Sequence, residues 1–205
     1  MAKSQLIKDI ATKKISLEEG LQRLLIISSD LGNDELKNWL VGELNGYSNK
    51  AELPEYRKNI GSHIIYSGIN GSFQVKNVTL PDYYLPEKFR EIVEKTPFKT
   101  SIRGIEKVLE KDGPVGEDLT MLSDSVYKKT GIQCYRIFKE YSRVSIEEII
   151  SKVKNKLIIL LLDLEKEFGN LDDLDIDTKD ITIDKSRKVE ESMKRIFYDD
   201  MGEEI

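Results

Sequence analysis

The chain has 205 residues and a mass of 23.6 kDa, which leaves room for one or two domains with buried cores. Hydrophobic residues make up 39% and charged residues 34% of the sequence, and the mean hydropathy is −0.42, as is typical of a soluble globular protein. The single cysteine, Cys134, excludes a disulfide framework. Together with the single histidine, His63, it supplies too few ligands for a Cys/His zinc site.

The longest uninterrupted apolar run covers residues 157–162, whereas a membrane-spanning helix needs about 20 apolar residues. No apolar segment follows the charged first residues in the manner of a signal peptide. We therefore expect a cytoplasmic protein without a membrane partner.

The net charge of −5 is concentrated at one end of the chain. Residues 170–205 hold 12 acidic and six basic side chains, so residues 1–169 are close to neutral with 25 acidic and 26 basic side chains. A neutral body lacks the strong positive field that binding to duplex phosphates requires. We therefore do not expect a nucleic-acid partner, and a DNA-binding regulator would need a local basic face within the body.

The first 47 residues predict three helices. The second begins at a capping box in which Ser16 accepts a hydrogen bond from the Glu19 amide while the Glu19 side chain reaches back. Gly32 separates the second and third helices, Asn33 caps the third, and Gly46 offers its left-handed stop.

The next segment predicts a β-hairpin. Alternating residues from Ile60 to Tyr66 indicate a strand, Asn70-Gly71 indicates a turn, and Pro81 closes the second strand. In the second strand the apolar positions change from odd to even numbers between Val75 and Val78. This change predicts a bulge near Lys76 and Asn77. Such a bulge would place two apolar pairs on the same face, namely Phe73 with Val75 and Val78 with Leu80.

Further elements follow before the longest helix. Pro86 predicts a helix that carries Phe89, Ile92 and Val93, and another spans Ile102 to Leu109 before Gly113-Pro114 stops it. We expect a helix over residues 119–129. Residues 133–143 are predicted as a strand, although their apolar spacing also fits a helix.

A second capping box, Ser145 and Glu148, predicts the start of the longest helix, which Gly169-Asn170 ends. Its apolar residues recur at intervals of four and three residues, so they form one continuous stripe along the helix, which we call the seam. The seam consists of Ile146, Ile150, Val153, Leu157, Leu160 and Leu164. This spacing fits either a central core helix or a face shared with a partner helix, because bundles within one chain use the same geometry.

The fold class we predict is α+β and predominantly helical: an N-terminal three-helix unit, a β-hairpin, and helices that end in a long apolar core helix. Residues 1–169 form the predicted domain. Residues 170–205 are predicted as an acidic linker and a C-terminal amphipathic helix from Asp184 to Tyr198. We expect this last helix or the long helix to carry a partner surface.

Three candidate sites have simpler structural interpretations, and we predict no catalytic residue, metal or cofactor. The series Asp173, Asp175 and Asp177 resembles the start of a calcium loop, but Thr178 replaces the required glycine and Asp184 the final glutamate, which favours a solvated linker.

The other two candidates are the neighbours Ser62 and His63, and the single cysteine Cys134. His63 and its neighbour Ser62 point to opposite faces of a strand and could not share a proton, so a surface or structural histidine is favoured. Cys134 lies among apolar residues, which favours an inert buried thiol.

Trp39, Glu43 and Tyr47 are spaced four apart along one side of the third helix, and Tyr56 and Arg57 follow a short loop later. We favour a structural latch, in which Trp39 packs under the loop and Glu43 binds Arg57 or loop amides. The alternative is a recognition surface built from aromatic residues and a fixed ion pair.

These residues belong to a longer pattern that resembles the AbiTii family of abortive-infection proteins. The pattern runs Leu-Gly-Asn-Asp-Glu-Leu-Lys-Asn-Trp-Leu-Val-Gly-Glu-Leu-Asn-Gly-Tyr from residue 31 to 47, and Leu-Pro-Glu-Tyr-Arg from 53 to 57. The resemblance is sharp over residues 5–57 and extends in the order of elements to about residue 168, while residues 170–205 lie outside it.

The resemblance implies a cytoplasmic protein that halts phage multiplication, alone or with a partner encoded beside it, and it supplies no catalytic residue. We therefore expect a defence protein that acts through protein contacts, with a protein partner or self-association. The alternative is a metal-dependent hydrolase, such as a nuclease, that gathers scattered carboxylates around magnesium.

Overall fold

A computed structural model describes residues 3–87, 89–90, 96–177, 179 and 181–197. The chain divides into two compact units. The helical unit comprises residues 1–55, 99–107 and 149–205, and the sheet unit comprises residues 56–98 and 108–148. Helices and one four-stranded antiparallel sheet confirm the predicted α+β class.

The helices of the described residues match most predicted positions. They are α1 (Gln5–Ala11), α2 (Leu17–Ser28), α3 (Asp34–Asn45), the single turn α4 (Glu55–Lys58), α5 (Ile102–Leu109), α6 (Ser123–Thr130), α7 (Arg143–Phe168) and α8 (Ile183–Phe197). A 3-10 turn, Thr120–Leu122, precedes α6 within the segment predicted as one helix. The predicted helix after Pro86 falls largely on residues 88 and 91–95, outside the described residues.

The N-terminal caps of α2 and α3 confirm the sequence signals. Ser16 accepts a hydrogen bond from the Glu19 amide at 3.0 Å, and Asn33 accepts one from the Leu36 amide at 2.9 Å. The Glu19 carboxylate binds the Arg23 guanidinium one turn later at 2.5 Å, which differs from the return contact of the predicted capping box. An ion pair at this i,i+4 spacing supports the same helix.

The second capping box was wrong in position. The long helix α7 begins at Arg143, where Ser142 accepts a hydrogen bond from the Ser145 amide at 3.3 Å. Ser145 therefore lies inside the first turn, and the cap precedes it by three residues.

The sheet has the strand order β2-β1-β4-β3, with β1 at Ser62–Asn70, β2 at Phe73–Thr79, β3 at Gly116–Asp118 and β4 at Gln133–Tyr141. The predicted hairpin and the predicted strand over 133–143 are confirmed. The three-residue strand β3 was not predicted, because it is too short to show an alternation.

The predicted bulge is also confirmed. Tyr66 pairs with Val78 and Gly68 with Val75, so two residues of β2 oppose Ser67 alone. Asn77, one of the two, has a φ of +51°, and its amide donates to the Ser67 hydroxyl at 3.0 Å. The partners of Val75 and Val78 on β1, Gly68 and Tyr66, are two residues apart and therefore lie on the same face of the sheet. The apolar pairs of β2 therefore share one face, as predicted.

The core of the sheet unit lies between that face and α6. It contains Ile64, Leu80, Leu85, Leu119, Leu122, Val126, Cys134 and Ile137. Tyr66, Tyr84, Phe89 and Ile132 pack against its border.

The seam of α7 is buried within the folded chain. Five of its six residues, Ile146, Val153, Leu157, Leu160 and Leu164, have no exposed surface, and Ile150 is half-buried. A partner helix would therefore find accessible surface only at Ile150, so the burial favours the core interpretation. The apolar face of α8 is covered as well, since Val189, Met193 and Ile196 are each less than 5% exposed.

Ser4 joins three distant segments of the helical unit. Its amide and hydroxyl both donate to the Glu165 carboxylate on α7 at 2.5 Å, and its hydroxyl oxygen accepts from the Leu171 amide at 3.0 Å. The Leu6 amide donates to Asp172 at 3.2 Å. Two carboxylates therefore lie at the N-terminus of α1, where free amides and the helix dipole favour negative charge.

Burial alone would raise the pKa of Glu165, but hydrogen bonds from Ser4 and Lys3 and the charge of Lys3 outweigh it and lower the pKa to about 2. The ordinary value is 4.5. The unfolded chain therefore binds this proton more readily than the folded chain does.

We predict that the stability contributed by Glu165 is complete above pH 4.5 and is lost as the pH falls toward 2. The loss over that interval is about 3 kcal/mol, from a pKa change of about 2.5 units. Urea unfolding between pH 6 and pH 2.5 should show a steeper acid loss for the native chain than for Glu165→Gln. Parallel pH profiles of the two proteins would contradict the prediction.

Candidate functional site

Trp39 and Glu43 lie on α3, and Tyr47 follows its end, within the helical unit. Trp39 is 6% exposed and Glu43 is fully buried. The Tyr47 hydroxyl donates to the Glu43 carboxylate at 2.8 Å. This hydrogen bond joins the segment after α3 to the last turn of the helix. It also satisfies part of a buried carboxylate, which would otherwise be costly to desolvate.

Two glycines permit the Tyr47 side chain to approach α3; the sequence analysis predicted the left-handed stop at Gly46 but not the role of Gly42. A Cβ atom on Gly42 would lie 2.4 Å from the Tyr47 ring, so the ring packs directly on the helix backbone. Gly46 has a φ of +86°, and a Cβ there would lie 2.9 Å from the Lys99 carbonyl oxygen. The Tyr47 amide donates to that same oxygen at 2.8 Å, which connects the return to the segment before α5.

Arg57 and Tyr56 lie in α4, and their environment is described within the sheet unit. Arg57 is fully buried, and its guanidinium donates to the Phe98 carbonyl oxygen at 3.0 Å. The Phe98 amide donates in turn to the Arg57 carbonyl oxygen at 2.8 Å. Tyr56 is half-buried.

The predicted pairing of Glu43 with Arg57 would join the two units, and it stays a prediction. The low exposure of Trp39, Glu43 and Arg57 gives a recognition surface little to present to a partner. We therefore retain the structural latch as our proposal for these residues.

Lys139 is a buried charged residue that the sequence analysis did not single out. It is 2% exposed and lies on β4 directly opposite Glu117 of β3. Burial lowers the pKa of Lys139, and the Glu117 charge partly opposes this change. The sequence did contain a signal for this burial. Every second residue of a strand lies on the same face, so Lys139 shares the inward face of β4 with Ile137 and Tyr141.

Tyr141 completes this group. Its hydroxyl donates to the Glu117 carboxylate, and its ring lies 5.5 Å from the Lys139 ammonium and 5.7 Å from the Phe98 ring. Burial raises the pKa of Tyr141 well above its ordinary value, and the hydrogen bond to Glu117 adds to this. Because Lys139 is 2% exposed and lies among these side chains, we interpret the group as a structural polar cluster.

His63 and Ser62 have different partners. His63 lies 3.7 Å from the Glu140 carboxylate and its side chain is 53% exposed, whereas the Ser62 hydroxyl lies 3.1 Å from the Thr96 hydroxyl. The two side chains therefore do not share a proton.

Cys134 is 5% exposed, and burial raises the pKa of its thiol, which supports the inert interpretation. Asp173, Asp175 and Asp177 are exposed, while Thr178 lies outside the described residues.

Among the residues that the structure describes, no three histidine, cysteine, aspartate or glutamate side chains are arranged to hold a metal ion. No helix in the same residues has the length and apolar character that crossing a membrane requires.

We predict that Gly42→Ala destabilises the protein because the added methyl group collides with the Tyr47 ring. In an ordinary helix interior the same substitution would stabilise by about 0.5–1 kcal/mol. Thermal or urea unfolding of Gly42→Ala, Tyr47→Ala and the double variant should show that most of the loss disappears in the Tyr47→Ala background. Val41→Ala, at the neighbouring and more exposed position, is the matched control, and a Gly42→Ala protein more stable than the native chain would exclude the packing described here.

The chain matches the AbiTii family model over residues 4–190. The match includes the whole pattern from α3 to Arg57 and continues beyond residue 169 into α8. No curated protein and no solved structure matches the chain significantly. The chain belongs to the AbiTii family, which implies a role in abortive infection, the defence of bacteria against phage.

Proposed function

We propose that this chain acts in abortive infection as a cytoplasmic protein that binds another protein, rather than through a catalytic site of its own. Family membership supports the defence role. The observation that supports protein binding is a row of apolar side chains along the hairpin, which consists of Phe73, Val78 and Leu80 and which we call the apolar row.

This row passes from the core of the sheet unit into solvent. Leu80, at its base, is 3% exposed, whereas Val78 is 43% and Phe73 is 60% exposed. The bulge keeps all three side chains on one face of the hairpin, so the row continues past the part that the core covers. Large apolar side chains aligned in solvent are typical of a protein interaction site.

The backbone of β2 offers a second means of binding. β2 lies at one end of the strand order, so among the described residues its outer edge has no neighbouring strand. Lys76 is the only charged residue of β2. We infer that an extended segment of the partner protein pairs with β2 and covers the exposed part of the apolar row, as in other cases of strand addition.

The charge of the sheet unit is consistent with a protein partner. Residues 56–98 and 108–148 contain 12 basic and 12 acidic side chains. Such a unit has no net positive charge to attract a phosphate backbone. The proposal therefore includes neither nucleic acid nor a membrane as a partner.

We predict that Phe73→Ser abolishes protection against phage while leaving the fold intact. The side chain is largely exposed, so the free energy of unfolding should change by no more than about 0.5 kcal/mol. Plaque counts on cells that express the variant should rise toward those of unprotected cells. Tyr127→Ser, which removes an aromatic ring of similar exposure from α6, is the matched control and should protect like the native chain.

Full protection by Phe73→Ser would contradict the proposed surface. The hydrolase hypothesis has a separate test, in which the purified chain is incubated with DNA or RNA and Mg²⁺ or Mn²⁺. Cleavage that chelation of the metal abolishes would contradict a purely protein-binding role and favour the enzyme.

A further inference from the structure

The β-hairpin carries one charged side chain along most of its length, that of Lys76. No other charged residue lies between His63 and Asp82, a range that contains all of β2 and most of β1. The Lys76 side chain is exposed, and among the described residues it forms no ion pair or hydrogen bond. Lysine on an edge strand is one of the means by which proteins control which strands pair with a free edge.

Lys76 and the apolar row lie on opposite faces of β2. Val75 and Val78 share the face of the apolar row, because the bulge lies between them. Lys76 follows Val75 directly, so its side chain lies on the other face. Gln74 and Thr79 also lie on that other face and are exposed. The strand is therefore apolar on one face and polar, with a single positive charge, on the other.

The free backbone groups of β2 lie on both sides of Lys76. In an antiparallel strand, consecutive residues direct their amide and carbonyl groups to opposite edges. The Leu80 amide donates to the Ile64 carbonyl oxygen of β1 at 2.8 Å, so the backbone groups of the preceding residue, Thr79, point away from β1. Phe73 closes the hairpin turn and faces β1, so the groups of Gln74 point away from β1 as well. A strand that binds at these two points must pass Lys76.

A second copy of β2 is a poor partner for this edge. When two identical strands pair antiparallel about a two-fold axis, their central residues lie opposite one another. The central residue of β2, which covers Phe73–Thr79, is Lys76. Like charges directly opposite each other on paired strands are destabilising, because their Cβ atoms are only about 5 Å apart. Lys76 therefore disfavours pairing of the hairpin with itself.

A carboxylate at the same position has the opposite effect. Residues that lie directly opposite on paired strands share a face, so an aspartate or glutamate across from Lys76 lies beside its ammonium group. The residues on either side of that carboxylate then lie on the face of the apolar row. If they are apolar, they cover the exposed surface of Phe73 and Val78, and the burial of this surface favours binding.

We propose that β2 selects its partner through Lys76. The partner segment is an extended strand in which apolar residues alternate with polar ones and a carboxylate faces Lys76. This inference rests on the proposed function, because it names the chemistry of the segment that adds to β2. The selection has an attractive part, which is the carboxylate, and a repulsive part, which excludes a second copy of the hairpin.

Binding of two labelled synthetic peptides to the full chain, measured by fluorescence anisotropy, tests this selection. Both peptides have nine residues with threonine and valine in alternation, and the central residue is glutamate in one and lysine in the other. We expect the native chain to bind the glutamate peptide about fivefold more tightly, the effect of a favourable cross-strand charge pair. Lys76→Glu should reverse the preference. Lys111→Glu makes the same change of charge on an exposed loop of the same unit, so it is the matched control and should keep the native preference.

Equal affinities of the native chain for the two peptides, or no binding of either, would overturn the proposal. A preference that Lys76→Glu leaves unchanged would overturn it as well. Light scattering tests the other occupant: a native mass of twice 23.6 kDa that Phe73→Ser reduces to 23.6 kDa would place a second copy on this edge and contradict the selection. None of these measurements uses protection against phage, so the Phe73 test of the proposed function keeps its own outcome.

Discussion

The buried carboxylate of Glu165 imposes a constraint on which the helical unit depends. A carboxylate away from water must receive hydrogen bonds, and Ser4 supplies two of them from the opposite end of the sequence. The same serine receives the Leu171 amide, so the start of α1, the end of α7 and the start of the linker meet at one residue. This junction fixes the start of the linker that leads to α8.

The residues that distinguish the AbiTii pattern in α3 have a common physical basis. Glu43 is buried and accepts the Tyr47 hydroxyl, and Tyr47 can approach only because Gly42 lacks a side chain and Gly46 adopts a left-handed backbone. Each residue is needed for the next, so the pattern describes a packed return of the chain. Such a pattern identifies the family through its fold.

The hairpin and the C-terminal helix expose their apolar residues differently. Phe73 and Val78 of the hairpin are 60% and 43% exposed, beside a strand edge that has no neighbour among the described residues, and this is the surface we propose for a protein partner. The C-terminal helix buries its apolar residues in its own chain, and exposed ion pairs border them.

Local signals in the sequence were sufficient for the helices of the first 47 residues, for the hairpin and its bulge, and for the family. They depend on neighbouring residues: a cap on the amide three positions later, a turn at Asn70-Gly71, a slip in strand parity. The start of α7 was misplaced because Ser142 and Ser145 both fit a cap, and only packing selects between them. The junction at Ser4, the inward Lys139 and the burial of the α7 seam were decided by tertiary structure, because each depends on which distant segment supplies a hydrogen bond, a charge or a covering side chain.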